Sequence, residues 1–396
     1  MKNKNIIYAI FILLIILFAV AIFFSFNKQD KRFEVSLNRS FGLKANSSGA
    51  FILTTKDKGC IVTGYSESYN DKDRNIYLIK IDENGKEEWN KTYGGNRKDE
   101  GKIVFQKDNN SYFILGTTNT YAKNIYGANM WFIKVDQKGN EIWNTTYGGS
   151  RWDEGNSMTE DDNGNFLLVG STSSYSKKDF VNDAWVIKVN ETGLELWNKT
   201  FGGMSFDEAR SIVKTNDECY IIAGFTKSYG DGDSDAWAIK VNSTGDELWN
   251  YTYGFEYDDH FNQVIKTDDG FVFTGHTEIN GPGNWRGYIV KTDSDGKKEW
   301  ELIIDNNLVV GTSSVVETSN GFIATGYIGT YGEDNLLLVK IDNKGKKVWE
   351  EVINSEYSGA GVWIDKKTDD TFFITGYMTK EETAKSDVWF LEIEIQ

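Results

Sequence analysis

Residues 207 to 254, DEARSIVKTNDECYIIAGFTKSYGDGDSDAWAIKVNSTGDELWNYTYG, decide the fold. They hold four strand-sized pieces: DEARSIVKT (207–215), CYIIAGFTKS (219–228), DAWAIKVN (235–242) and ELWNYTYG (247–254). DAWAIKVN alternates, which puts Trp237, Ile239 and Val241 on one face, whereas YIIAGF is apolar on both faces, as a strand sandwiched between two layers must be. Asn-Ser-Thr-Gly (242–245) joins the last two pieces. Its Gly supplies the positive φ of a tight hairpin, and the Asn side chain can bond the turn amides.

The pattern recurs along the chain. The Trp of ELW stands at Trp89, Trp143, Trp197, Trp249, Trp300 and Trp349, at spacings of 54, 54, 52, 51 and 49 residues. An apolar run closing in Gly recurs seven times, at Gly64, Gly116, Gly170, Gly224, Gly275, Gly326 and Gly376. Four strands in a period of about 50 residues mark a propeller blade, and seven marks predict an all-β, seven-bladed β-propeller of four-stranded blades. The seventh Trp motif is missing at the end, where DVWFLEIE (387–394) is a third strand with no fourth after it. SLNRSFG (36–42) is that strand displaced to the front: residues 38–42 align with 198–202, and Leu37 takes the Trp position. Residues 34–41 are therefore expected to complete the last blade and close the ring, removing a sheet edge.

Composition agrees. Among 396 residues, 13 Trp, 39 Gly and a single Pro suit many short strands joined by Gly turns rather than helices or disorder. A net charge of −16 speaks against a nucleic-acid or anionic-membrane surface, both of which need a basic patch. Cys60 and Cys219 fall in the first and fourth blades, too far apart to be bridged, which predicts two free buried thiols.

Ahead of the ring, residues 6–26 (IIYAIFILLIILFAVAIFFSF) carry no charge over 21 positions, enough to cross a bilayer as a helix. Ala19-Val20-Ala21 would suit cleavage of a signal peptide, but Phe23, Phe24 and Phe26 follow that point, and a retained anchor is the preferred reading. The chain then divides into a short tail (1–5), the anchor (6–26), a linker (27–32) and the propeller (33–396), with the propeller outside the cytoplasm. Sequons at Asn38, Asn46, Asn90, Asn109, Asn144, Asn190, Asn198, Asn242 and Asn250 fit an exported domain, though several recur only because the repeat does.

NETGLELW (190–197), NSTGDELW (242–249) and, without Thr, DENGKEEW (82–89), DSDGKKEW (293–300) and DNKGKKVW (342–349) resemble the hairpins of quinoprotein-type (PQQ-repeat-like) propellers. Blades of that family carry Asp-x-x-Thr-Gly, three residues, then Trp. The resemblance implies that the six Trp dock between neighbouring blades. The whole unit is also similar to uncharacterised exported repeat proteins of archaea and bacteria, over nearly all of residues 33–396. A quinone cofactor does not come with it: the family's dehydrogenases typically cap the cofactor with adjacent cysteines, and this chain has no Cys-Cys pair.

Two adjacent acids open the innermost strand of four successive blades: Asp99-Glu100, Asp153-Glu154, Asp207-Glu208 and Asp258-Asp259. Lining one mouth of the axial channel, they form an arc able to take a cation or to hydrogen-bond a sugar or peptide. The competing role is an Asp that bonds turn amides at the strand start. GDGDSDAW (230–237) places Asp231, Asp233 and Asp235 at alternate positions as in calcium loops, but without the Gly after the third acid and with Asn242 at the twelfth position. Calcium is the one cofactor the sequence raises. Only two His occur, His260 and His276, with no nucleophile motif, zinc spacing or phosphate loop. The second-to-third-strand loops carry Tyr69, Tyr121, Tyr175, Tyr229 and Tyr331, either a platform for a protein or carbohydrate or rings packed down on their own blades.

The function expected is that of a monomeric, membrane-anchored, extracytoplasmic propeller that binds or scaffolds an envelope protein, with no catalytic residue assigned. The alternatives are a carbohydrate-binding surface protein and an enzyme of glycoside or polysaccharide chemistry that uses the channel-mouth carboxylates.

Overall fold

The computed structural model describes residues 32–42, 45–67, 73–107, 111–279, 281–330, 333–355, 358–380, 382–383 and 385–396. The tail, the anchor and all but the last linker residue lie outside them, as do Tyr69, Asn109 and Tyr331. Among the described residues no helix is long and apolar enough to cross a membrane.

The described residues form seven four-stranded antiparallel sheets. Six blades are consecutive meanders, over residues 47–93, 99–147, 153–201, 207–253, 259–304 and 309–353. The seventh takes three strands from 358–395 and its fourth from Phe33–Phe41, which pairs with Lys385–Ile395 from Phe33↔Ile395 to Phe41↔Val388. The closure read from SLNRSFG is therefore present. First strands neighbour one another in an unbroken cycle, the seventh against the first, so they ring the axis. Connections between strands one and two and between strands three and four lie on one side of the ring, the hairpin face. Loops between strands two and three, and the links to the next blade, lie on the other, the loop face.

Second strands of blades two to five are buried throughout, as Tyr220–Thr226 illustrates. The third strand departs from the expected one-sided burial, because Asp235–Val241 is buried at every position. Its large residues, Trp237, Ile239 and Val241, share a core with Leu167 and Val169 of blade three, while Ala236 and Ala238 share one with Phe261 and Phe273 of blade five. Large alternates with small, since both faces of an inner strand meet a neighbouring blade.

Every first strand carries a one-residue bulge, between Gly49 and Phe51 in blade one and at the equivalent point in the other six. The bulge presses first-strand backbone onto the second strand, which explains the Gly marks. A Cβ on Gly224 would lie 1.8 Å from the Glu208 carbonyl oxygen, and the other six marked Gly meet the same obstruction.

Neighbouring blades are joined on the hairpin face by a ring and a hydroxyl. The repeat Trp are half-buried, and five lie on the hairpin glycine of the next blade: Trp89 on Gly139, Trp143 on Gly193, Trp197 on Gly245, Trp249 on Gly296 and Trp300 on Gly345. A Cβ at those glycines would come within 3.1 Å of the ring. Leu37 takes the same place against Gly85, and Trp349, which faces blade seven, where no hairpin joins the third and fourth strands, stacks on Phe33 at 6.1 Å. The hydroxyls of Tyr93, Tyr147 and Tyr253 donate to the carbonyls of Gly139, Gly193 and Gly296 at 2.7, 2.6 and 2.6 Å.

The outer strands are also tied inward. Indole N–H groups of Trp131, Trp185, Trp237 and Trp389 donate to the sequon residues Asn144, Asn198, Asn250 and Asn38 at 3.0, 3.3, 3.2 and 2.9 Å. Cys60 and Cys219 are free and buried.

Removing residues 33–42 should lower the calorimetric unfolding temperature and broaden the transition, because blade seven loses its outer strand and blade one loses Leu37. Trp197→Ala should cost about 2–3 kcal/mol in urea denaturation, less than a wholly buried Trp because part of the ring already faces water.

Candidate functional site

The acid pairs sit where each first strand starts, on the loop face. Ladder register aligns Asp99, Asp153, Asp207 and Asp259, so Asp258 lies one residue ahead of the others and His260 occupies the place of Glu100, Glu154 and Glu208. All four aligned Asp are fully buried. Asp153 accepts from Gly149 N at 2.8 Å, Ser174 Oγ at 2.6 Å, Ser174 N at 3.2 Å and the Thr172 hydroxyl. Asp99 and Asp207 have matching partners in Gly95, Thr120 and Thr118, and in Gly203, Ser228 and Thr226. These bonds tie each blade-to-blade link to the loop beside it. Asp259 keeps Phe255 N at 2.6 Å and lies opposite Thr277 in the ladder, but Ile279 replaces the Ser hydroxyl. Burial, with Asp235 and Asp258 nearby, pushes its pKa up to about 6.

The next residue on each strand points the other way, toward the channel mouth. Burial alone would raise the Glu100 pKa, but Lys102 at 3.2 Å and Arg74 at 2.6 Å outweigh it and hold the carboxyl below its usual range. Glu208 accepts from Arg210 at 3.2 Å and from Asn156 at 3.2 Å. Glu154 has no such cation, because its bulge residue is Asn156 rather than Lys102 or Arg210; it accepts from the Trp152 indole. Burial raises the Glu154 pKa and Glu208 and Glu100 add to the rise, while the Trp152 bond and the charge of Lys102 offset part of it. The belt continues from Arg210 to Asn262 at 2.9 Å and from Asn262 to the Thr312 carbonyl at 3.0 Å.

In blade five, His260 stacks on Phe225 at 4.0 Å and meets His276 at 4.8 Å, which lies on Trp285 at 4.7 Å. Burial pushes both imidazoles toward neutrality, His276 down to about 3. Ser234 Oγ donates to Asp258 at 2.5 Å and meets His260 Nε2 at 2.9 Å. The imidazole therefore donates to the serine, the reverse of nucleophile activation. In the acidic loop, Asp231 and Asp233 are exposed while Asp235 is buried and accepts from Gly232 N at 3.1 Å. Among the described residues no three acidic, His or Cys side chains converge as a metal cluster.

Tyr121, Tyr175 and Tyr229 lean on the third-strand Trp of their own blades, at 5.1 Å from Trp131, 5.5 Å from Trp185 and 5.8 Å from Trp237. Exposed apolar surface lies beside them on the same face. Tyr126 is 85% exposed, Phe180 82%, Met204 65% and Ile125 64%, with Trp152, Phe206 and Phe255 between 39% and 45%. All belong to loops of blades two and three or to links between blades two and five. Phe180 stands at φ +65°, a backbone position that bulky side chains avoid, with the Arg151 guanidinium 5.0 Å from its ring. The sequence signal for part of this set is an aromatic directly before the acid, in SRWDE (150–154) and MSFDE (204–208).

Neither known protein families nor curated proteins give a match. Solved structures give a likeness of fold. The Pan2 WD40 domain of Neurospora crassa has a TM-score of 0.56 at 8% identity, covering 92% of this chain and 96% of that one. YCF48 bound to a D1 peptide has a TM-score of 0.51 at 12% identity, covering 91% and 95%. The β-propeller domain of the trilobed protease of Pyrococcus furiosus, described as having an open velcro topology, has a TM-score of 0.50 at 12% identity, covering 90% and 97%. At these identities the likeness establishes the β-propeller fold.

Asp259 offers a test of the site's electrostatics. Its folded pKa lies above the ordinary value, so the folded state holds the extra proton and stability falls as pH rises from about 4 to about 6. Asp259→Asn should raise the unfolding free energy at pH 7.5 by about 1–3 kcal/mol and flatten its dependence over that window. Urea denaturation at pH 4.5 and 7.5 reads both effects.

Proposed function

We propose that this chain is a membrane-anchored, extracytoplasmic binding or scaffold module whose loop face, over blades two to five, docks an envelope protein. The observation that carries the reading is the exposed apolar set of that face, above all Phe180, 82% exposed on a left-handed backbone. Bulky rings displayed in such number on one face mark a surface that a partner covers. β-propellers commonly serve as binding modules, and the likeness to a propeller solved with a peptide supports the same use here. Residues 6–26 supply the anchor. Arg32 leads into the outer strand of blade seven from the hairpin face, so an anchor ahead of it holds that face toward the membrane and turns the loop face outward. The likeness to quinoprotein-type blades enters through Trp docking alone.

Full-length protein, crosslinked in its source cells and extracted in detergent, should bring down one envelope protein in near-stoichiometric amount. A Tyr126→Ser/Phe180→Ser/Met204→Ser variant should recover roughly tenfold less. Equal recovery by both proteins, or recovery of glycan alone, would sink the reading and move the search to Glu154 and Glu208 as sugar-binding or hydrolytic groups.

A further inference from the structure

Among the described residues, blade six leaves a buried charge without a counter-charge. Third strands carry a Lys opposite the repeat Trp, at Lys80, Lys134, Lys188, Lys240, Lys291 and Lys340. The first five each have a carboxylate close by: Asp57 at 2.9 Å, Glu191 at 3.1 Å, Asp161 at 2.8 Å, Asp217 at 2.8 Å and Asp269 at 2.9 Å. Blade seven reverses the pair, with Glu392 in the Lys place and Lys367 beside it at 2.8 Å.

In blade six both acid positions are neutral. Asn320 stands after Thr318 where Asp57, Asp217 and Asp269 stand after Thr55, Thr215 and Thr267. Val348 stands where Glu88 and Glu299 give Lys80 and Lys291 a second carboxylate, at 3.3 and 3.2 Å. Lys340 is 6% exposed and donates to the Thr318 hydroxyl at 2.6 Å. Burial lowers the pKa of its amine to about 8. It borders a cavity of about 360 Å³ on the hairpin face, at the seam of blades six and seven, walled by Ile323, Val348, Trp349 and Phe372. Of the other charges at the cavity, Arg32 pairs with Glu351 at 2.7 Å and Asp369 with Lys366 at 2.6 Å, while Asp370 and Gln396, with its terminal carboxylate, also line it.

We propose that this cavity binds a small organic monocarboxylate with a flat apolar body, its carboxylate pairing with Lys340 Nζ in place of the aspartate absent at position 320. A single buried ammonium matches a single negative charge, whereas a phosphate dianion would be left half-paired among apolar walls. Trp349 and Phe372 offer aromatic surface for a ring to pack on. The site lies on the side opposite the proposed docking surface and stands without it.

Sodium benzoate is the probe. Isotope-labelled full-length protein is titrated with it while the Lys340 side-chain resonance, identified by its absence from Lys340→Met, is followed by NMR. Saturable binding is expected, with the amine titrating at higher pH when benzoate is bound. Affinity should drop roughly tenfold or more in Lys340→Met and also in Asn320→Asp, where an internal carboxylate restores the pattern of the other blades. Asn320→Asp keeps the test independent of folding, because it completes an ion pair rather than removing one. No saturable binding to the unaltered protein, or equal binding to it and to a folded Asn320→Asp variant, overturns the proposal.

Discussion

The ring depends on the lap of one blade's outer Trp onto the hairpin glycine of the next. A four-stranded sheet cannot bury both of its faces alone, so each blade must be covered from both sides. The Trp supplies that cover at the hairpin edge, and glycine is required beneath it because a Cβ would enter the ring. Tyr93, Tyr147 and Tyr253 add a hydroxyl to the same glycines, so one residue receives both an apolar and a polar contact. With this load carried on the hairpin face, the loop face keeps the buried Asp ties and the polar belt that runs from Arg74 to Thr312, and its outer loops are free to differ.

Sevenfold repetition made the architecture legible. Trp and Gly marks recur because each sits against backbone that admits no other shape, and the worn copy at 36–42 could be aligned even with Leu37 in place of Trp. The third strand was less legible. Lys240 reads as polar, yet it is buried in the blade, its ammonium paired with Asp217. The acid pairs were legible as positions but not as a division of labour, because strand alternation sends the Asp into the protein and the Glu to the channel. In blade five, YDDH (257–260) offers two candidate acids, and only ladder register chooses Asp259. Apart from Trp152 and Phe206, which each precede an aligned Asp, the exposed rings of the loop face have no period, so no pattern announced them.

Seven copies of one position also act as substitutions already made by the chain. Glu100, Glu154, Glu208 and His260 share a register yet differ in partner, from two cations to none. Ile279 takes the place of Ser174 and Ser228, so Asp259 lacks the hydroxyl bond that Asp153 and Asp207 receive. Where copies agree they describe the fold, and where they disagree they describe chemistry that the fold does not need. The recurring sequons belong to the first class: Asn38, Asn144, Asn198 and Asn250 spend their side-chain oxygens on indole donors of the neighbouring strand.

The closing strand has a mechanical consequence. Phe33 and Ile395 are partners at the same end of blade seven, on the hairpin face. A tension applied through Arg32 along the strand would drag Phe33–Phe41 lengthwise past Lys385–Ile395, loading the rungs of that ladder together rather than one after another. The joint that completes the ring is thus set in shear with respect to any pull through Arg32, and peeling it open would take a pull across the strand instead.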